Sequence, residues 1–264
     1  MENKIMISIV IPCFNSEKTI TRTLLSVASQ SYKNYEVVII DDGSTDRTKK
    51  LIEDFFEIYD LNYKYIYQEN RGPSKARNLG VSNAVGDYIA FLDSDDTWHK
   101  DKLSIQMKLI KENNLNFLGS TYQYSEFNYN ENSNIVLKRF TFQELLIKTQ
   151  FSTPGVVIKK ELFLNLGGFD THMKYSEDND LWLRASLITD LYLIVEPKLV
   201  RLHKRAYGDS GLSGNMFGMY KGELFSLKKF WKQGNLKSLN YVFLIIFITM
   251  KLIRRVVKNF LGKN

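Results

Sequence analysis

Three short, nearly uninterrupted apolar runs govern what this chain can fold into: Met6 to Ile11 (MISIVI), Glu36 to Ile40 (EVVII) and Tyr88 to Leu92 (YIAFL). Each is too short for a core helix and too continuous for a strand with one wet face, which predicts strands covered on both sides. Tyr63 to Tyr67 reads as a further strand. Between the strands the period changes. Ile20, Leu24, Val27 and Ala28 share one helical face, and Leu51, Ile52, Phe55, Phe56 and Tyr59 share another in a helix from about Asp46 to Tyr59. Pro73 to Ala84 reads as a short helix. Strand–helix alternation at this spacing predicts an α/β fold with a Rossmann-like, mostly parallel central sheet flanked by helices.

Each of the first four strands ends in a polar cluster: Asn15-Ser16-Glu17, Asp41-Asp42-Gly43-Ser44, Gln68-Glu69-Asn70-Arg71 and Asp93-Ser94-Asp95. In a parallel sheet all four crowd one edge, where ligands bind. Asp93 and Asp95 lie two apart, so at an extended strand end they point the same way. Two converging carboxylates suit a hard divalent cation shared with substrate phosphates. They also suit a solvated acidic loop capping a helix from Trp98, and the spacing alone leaves both open. Asn15 or Ser16 can cap the helix that follows, with Glu17 in its first turn, and Asp96 can cap the next one. Neither GxGxxG nor GxxxxGK[ST] follows a strand, so neither of those nucleotide-binding modes applies.

Composition narrows the class. The chain has 264 residues, 44% hydrophobic and 25% charged, enough for one substantial domain with an appendage. Its single cysteine, Cys13, excludes an internal disulfide and reads as packing, and His99, His172 and His203 are too dispersed for a zinc motif. No secretory signal pattern precedes the first strand. The net charge of +7 is concentrated in residues 221–264, which hold ten Lys/Arg against one acid, Glu223. A basic tail on a near-neutral body argues against a nucleic-acid-binding protein.

VIPCFNSEKTI, VIIDDGSTDRT, ENRGPSKARNLG, YIAFLDSDD and GGFD…SEDNDLWLRA follow one another in an order and spacing that resemble the family 2 glycosyltransferases of the GT-A fold. The likeness covers roughly residues 5 to 205. It implies an inverting, metal-dependent hexosyltransferase that moves a sugar from a nucleotide-diphosphate donor, UDP by family frequency, to a hydroxyl of a surface glycan or lipid-linked oligosaccharide such as capsule or lipopolysaccharide.

The resemblance also implies roles. Asp42, with Asp41 beside it, would contact base and ribose, although Asp and Ser before a helix are N-caps too. Pro12, Phe14, Asn15 and Glu17 would form the opposite wall, Glu17 alternatively favouring the helix dipole. Arg71, Lys75 and Arg77 would meet the diphosphate or base; Arg77 matches the family's GxSxARNxG arginine, with a surface ion pair as the plainer reading. Asp93 and Asp95 would hold Mn²⁺ or Mg²⁺, with Ser94 in the donor site and Asp95 the more direct ligand. Phe151 to Gly155 would line the acceptor pocket. Asp178 would be the catalytic base, oriented by Glu177. Trp182 would fill core or stack on a sugar, and Arg184 would pair near the site. Arg201, His203 and Lys204 are candidates for a segment closing over the diphosphate, His203 also for the metal, although HKRAYGDSG departs from the usual short His-x-x-Ser form.

Residues 1–112 would form the nucleotide-sugar half, 113–220 the acceptor and catalytic-base half, and 221–264 a basic amphipathic helical tail. Tyr241 to Met250 is almost wholly apolar, then Lys251, Arg254, Arg255 and Lys258 alternate with Leu252, Ile253, Val256, Val257 and Phe260. The uncharged core falls short of the ~20 residues that span a bilayer. It suits a helix lying on an anionic membrane surface, or one packed on the domain or on a second subunit. The expected location is cytoplasmic, peripheral on the inner face of the cell membrane. Two other classes compete: a sugar nucleotidyltransferase, which would want a Gly-rich basic loop where this chain has PCFNSEK, and a catalytically silent glycan- or lipid-binding scaffold.

Overall fold

A computed structural model describes residues 5–128, 134–204 and 214–261. Most of the expected closing segment, after Lys204, therefore lies outside the described residues, as do the side chains of Lys258 and Phe260. The strands are β1 (Ile7–Cys13), β2 (Tyr35–Asp41), β3 (Tyr63–Tyr67), β4 (Tyr88–Phe91), β5 (Thr97–Trp98), β6 (Phe117–Ser120), β7 (Tyr122–Gln123), β8 (Val136–Phe140), β9 (Val157–Lys159), β10 (Leu191–Glu196) and β11 (Val200–Arg201). The helices are α1 (Ile20–Ala28), α2 (Thr48–Ile58), α3 (Pro73–Asn83), α4 (Lys102–Asn113), α5 (Phe142–Ile147), α6 (Lys160–Asn165), α7 (Glu177–Ser186), α8 (Met216–Lys232) and α9 (Ser238–Leu261).

Eight strands form one sheet in the order β3-β2-β1-β4-β9-β6-β10-β8. β3, β2, β1 and β4 are mutually parallel, β9 is antiparallel to both neighbours, β6 and β10 run parallel, and β8 closes the edge antiparallel. The sheet therefore continues from the first half of the chain into the second without a break. Every residue of β1 and β2 is buried, as their unbroken apolar sequence requires of central parallel strands. Edge strand β3 is half-exposed and carries Lys64, a charge that discourages edge pairing. Alternate side chains feed two cores: Ile9, Ile11 and Ile39 pack with Leu24, Ile52 and Met107 on one face. Val10, Ile40 and Phe91 pack with Phe163, Phe169 and Trp182 on the other.

Three local expectations change. α1 starts at Ile20, after Glu17, because the backbone N–H groups of Asn15, Ser16 and Glu17 are committed to side chains of the β2–α2 loop and the start of α2. Asn15 itself has φ +48, outside the helical region. Trp98 opens no helix. It lies in β5, part of a small sheet ordered β5-β11-β7, and α4 begins at Lys102. Asp96 caps nothing; it is buried and its carboxylate accepts from the His203 backbone N–H at 3.3 Å. In the tail, α9 packs one face on the domain through buried Leu244 and Ile248 while the Tyr220 hydroxyl meets the Thr249 hydroxyl at 2.9 Å. Packing against the domain and an outward apolar face thus coexist in one helix.

Candidate active site

Parallel pairing brings the ends of β2, β1 and β4 side by side, Cys13 opposite Asp41 and Val10 opposite Phe91. The first wall is knitted from two loops. Asn15 N–H donates to Ser44 Oγ at 2.9 Å, and Thr45 N–H donates back to Asn15 Oδ1 at 2.9 Å. Glu17 N–H donates to Asp46 at 3.0 Å while the Glu17 carboxylate accepts from Arg47 at 3.3 Å. This wall leaves Phe14 half-exposed beyond the strand end, with Pro12 buried in β1 behind it. Ser16 reaches across to Ser94, hydroxyl to hydroxyl, at 2.8 Å.

Asp41 and Asp42 are both buried. Asp41 accepts from Ser44 N–H at 2.8 Å and from the Tyr65 hydroxyl at 2.6 Å. Asp42 accepts from Arg71 N–H and Gly72 N–H at 2.8 Å each and from the Gln68 amide. A carboxylate has about four acceptor positions. Asp42 therefore shapes the β3–α3 loop and keeps capacity for a further donor. Burial, and then Asp41, push the Cys13 thiol up, so Cys13 is packing and no nucleophile. Arg71 and Lys75 extend into solvent beside this loop.

Arg77 is the junction of the site. It is 7% exposed, donates to Asp93 at 2.6 Å and to Glu177 at 3.4 Å, and lies 5.4 Å from the centre of the Phe169 ring. The arginine that the sequence offers as a diphosphate ligand or a surface ion pair is thus a buried bridge between two carboxylate sets. Its Nε has no partner among the described residues.

Asp93 and Asp95 follow β4, each about a third exposed and each facing one cation, Arg77 and Lys204 respectively, the latter at 2.8 Å. Arg22 donates to the Asp95 carbonyl at 2.8 Å, and the Thr23 hydroxyl lies 3.0 and 2.9 Å from the Ser94 and Asp96 carbonyls, fixing the loop. Burial, and then Asp93 and Asp95, push the Asp96 carboxyl up to about 8. No group of three or more His, Cys, Asp or Glu converges among the described residues. The donor set is therefore two carboxylates, which fits a hard cation that takes its remaining oxygens from a substrate diphosphate and water. Lys204 shows that Asp95 attracts a cation. His203 Nε2 meets the Thr97 hydroxyl at 3.0 Å, and Arg201 pairs with Glu126.

Across Arg77 stands the start of α7. Ser176 at φ +59 turns the chain so that Glu177 and Asp178 open the helix at its positive end. Asp178 accepts from Asn179 N–H at 2.7 Å and from the Thr153 hydroxyl at 3.4 Å. Burial, and then the neighbouring Asp178, raise the Glu177 carboxyl to about 7; burial also raises Asp178, against the lowering pull of Arg77. Trp182 is core and Arg184 pairs with Asp180 behind the helix. Phe151 is likewise core, which leaves Thr153 of the Thr153–Gly155 turn as the residue meeting Asp178. That turn is held from below: Trp98 Nε1 donates to the Pro154 carbonyl at 2.8 Å and Gln106 to the Gly155 carbonyl at 3.0 Å. Buried Lys102 donates to Gln106 at 2.7 Å and sits 4.0 Å over the Trp98 ring.

With that geometry in view, comparison decides the family. A model described as Glycosyl transferase family 2 matches residues 8–166, more than half of the chain. The chain belongs to glycosyl transferase family 2. Among family 2 relatives, an uncharacterized glycosyltransferase of Rickettsia conorii is 46% identical over 46% of this chain and 20% of its own length. The chain thus spans about a fifth of that relative. The UDP-Glc:alpha-D-GlcNAc-diphosphoundecaprenol beta-1,3-glucosyltransferase WfgD of Escherichia coli is 32% identical over 67% of this chain and 68% of its own length. The amylovoran biosynthesis glycosyltransferase AmsB of Erwinia amylovora is 30% identical over 86% and 76%. Staphylococcus aureus TarS in complex with UDP-GlcNAc superposes with TM-score 0.72 at 22% identity, over 91% of this chain and 70% of that one. A Pyrobaculum calidifontis mannosyltransferase in complex with GDP-Man and Mn²⁺ gives 0.69 at 18%, over 97% and 76%. The family 2 fold is the GT-A architecture that the sequence resemblance implied.

Proposed function

We propose that this chain is an inverting glycosyltransferase that moves a sugar from a UDP-sugar to a hydroxyl of a lipid-linked or surface glycan. The observation that carries this reading is the opposition of Asp93-Ser94-Asp95 and Glu177-Asp178 across one buried arginine. Phe14, Asn15, Glu17, Asp41 and Asp42 wall the nucleotide, and Arg71 and Lys75 extend the cationic rim. Asp93 and Asp95 would hold a divalent metal, Mn²⁺ or Mg²⁺, which when bound supplies Lewis-acid stabilisation of the leaving diphosphate. The acceptor hydroxyl gives its proton to the Asp178 carboxylate as its oxygen forms a bond to the anomeric carbon. The bond from that carbon to the diphosphate oxygen breaks, and the electron pair leaves with the nucleoside diphosphate. One base and one displacement invert the anomeric centre. WfgD's named acceptor is a diphosphoundecaprenol glycan, which makes a lipid-linked acceptor chemically consistent here.

The outer face of α9 supports membrane contact. Leu239, Val242, Phe243, Ile246, Met250 and Ile253 recur at helical spacing and are all exposed. Among the described residues no helix is long and apolar enough to cross a membrane, so the proposal is a helix lying along the surface.

Thermal-shift titration with UDP, GDP and dTDP, each with and without Mn²⁺, tests the donor site. Metal-dependent stabilisation by UDP, lost in Asp95→Ala, is expected. Equal stabilisation of the Asp95→Ala protein would remove Asp95 from the site.

A further inference from the structure

The strained residue immediately before the two proposed catalytic carboxylates packs against α8. Ser176 is 2% exposed at φ +59, a backbone region that costs a non-glycine residue free energy and persists only where surroundings enforce it. What encloses it is one face of α8, where Gly218, Gly222, Ser226 and Lys229 recur at helical spacing. At Gly222 a methyl group would lie 2.2 Å from the Tyr175 carbonyl oxygen and 3.2 Å from Ser176 Cβ. At Gly218 it would lie 2.6 Å from the Tyr175 ring. The Ser176 hydroxyl donates to the Met219 carbonyl at 3.3 Å, and the Asn215 amide donates to the Tyr175 hydroxyl at 3.1 Å. One turn on, Asp180 accepts from the Ser226 hydroxyl at 2.9 Å and from Lys229 at 3.1 Å, and Lys229 also reaches Asp170 at 3.1 Å.

We infer that this face of α8 is a positioning element for the catalytic base: backbone contact at Gly222 sets Tyr175 and Ser176, and these set where Asp178 points. The inference rests on Asp178 being the base, and it goes beyond that reading by making the helical tail part of the active site's geometry. Two independent contacts converge on it, a close backbone approach upstream of Glu177 and an ionic anchor on Asp180 downstream of Asp178. Helix–helix packing alone would not need glycine at the one position that faces a carbonyl. Nor does a membrane tether need an anchor on the catalytic helix.

The test uses the full chain with UDP-glucose and UDP-GlcNAc as donors, following nucleotide release, with kcat and donor KM measured separately. In Gly222→Ala the added methyl overlaps the Tyr175 carbonyl, so the Tyr175–Ser176 backbone and α8 must move apart, and kcat should fall about 10- to 100-fold, the loss expected for an ångström-scale misplacement. Donor KM should stay within about twofold, because the donor wall sits on other elements. Adding Ser176→Gly should recover much of kcat, since glycine accepts the shifted backbone without strain. Exposed Lys228→Ala on the same helix should match the parent. Carboxyl ¹³C titration of Glu177 and Asp178 should also shift in Gly222→Ala, a readout that needs no turnover. Unchanged kcat and unchanged carboxyl titration in Gly222→Ala, with only a lower melting temperature, would overturn the inference. If Asp178→Asn is fully active, the base reading fails instead, and the two failures are told apart.

Discussion

At the scale of single residues, the site works by setting carboxylates against one another. Glu177, raised to about 7 by burial and by Asp178, and Asp178, raised by burial, cannot both ionise easily so close together. The protons they release belong to the pair. A base must be deprotonated to act, and a raised carboxyl holds its proton to higher pH. With Asp178 as the proposed base, activity should therefore fall at a higher pH than the value of about 4 at which an isolated aspartate takes up its proton. Glu177→Gln removes the neighbouring negative charge and leaves the Asn179 N–H, Arg77 and the Thr153 hydroxyl to favour the Asp178 carboxylate, so the acid limb of kcat should move to lower pH. A pH–rate profile checks this, and a limb that stays in place would show that Glu177 does not tune Asp178. Arg77 explains why neither carboxylate set could be understood by itself from sequence. The motif around it was legible, but its two ion pairs span 16 and 100 residues of chain.

At the scale of elements, the central strands were legible because unbroken apolar runs leave one option, and β3 lies at the expected residues. The pairing of the small sheet β5-β11-β7 was not, since it is set by contacts between segments far apart in the chain. Its consequence is functional: it buries Asp96, brings Lys204 to Asp95 and, through Trp98, supports the turn that bears Thr153. Arg22 and Thr23 left no signal either, because on α1 they look like ordinary polar helix positions. Gln106 is the central prop under the Thr153–Gly155 turn, donating to the Leu118 and Gly155 carbonyls and accepting from Lys102. Gln106→Leu would strand two buried carbonyls and the buried Lys102 amine, for a loss of about 2–4 kcal/mol in denaturant unfolding. A loss under about 0.5 kcal/mol would mean that water or another side chain serves those groups.

At the scale of the whole molecule, the parallel half of the sheet gathers the loops proposed as the donor wall, the antiparallel and mixed half carries the proposed acceptor side, and the helical tail packs on the second while presenting an apolar face outward. The tail's amphipathic pattern was legible in sequence, but not its partition, because one period serves both a packed and an exposed stripe. Replacing Phe243 and Ile246 with Glu should lower binding to anionic phospholipid vesicles by at least about 100-fold, as each buried apolar side chain is worth about 1.5–3 kcal/mol. Nucleotide binding should be unaffected, and undiminished sedimentation with vesicles would point to a protein partner for that face. The account depends most on Asp178 acting as the base of glycosyl transfer. The direct measurement is nucleotide release from a panel of UDP-sugars by the parent and by Asp178→Asn, with UDP affinity measured on both. Asp178→Asn should bind UDP as the parent does and turn over at least about 100-fold more slowly, the scale of a lost general base. Parent-like turnover by Asp178→Asn would contradict it.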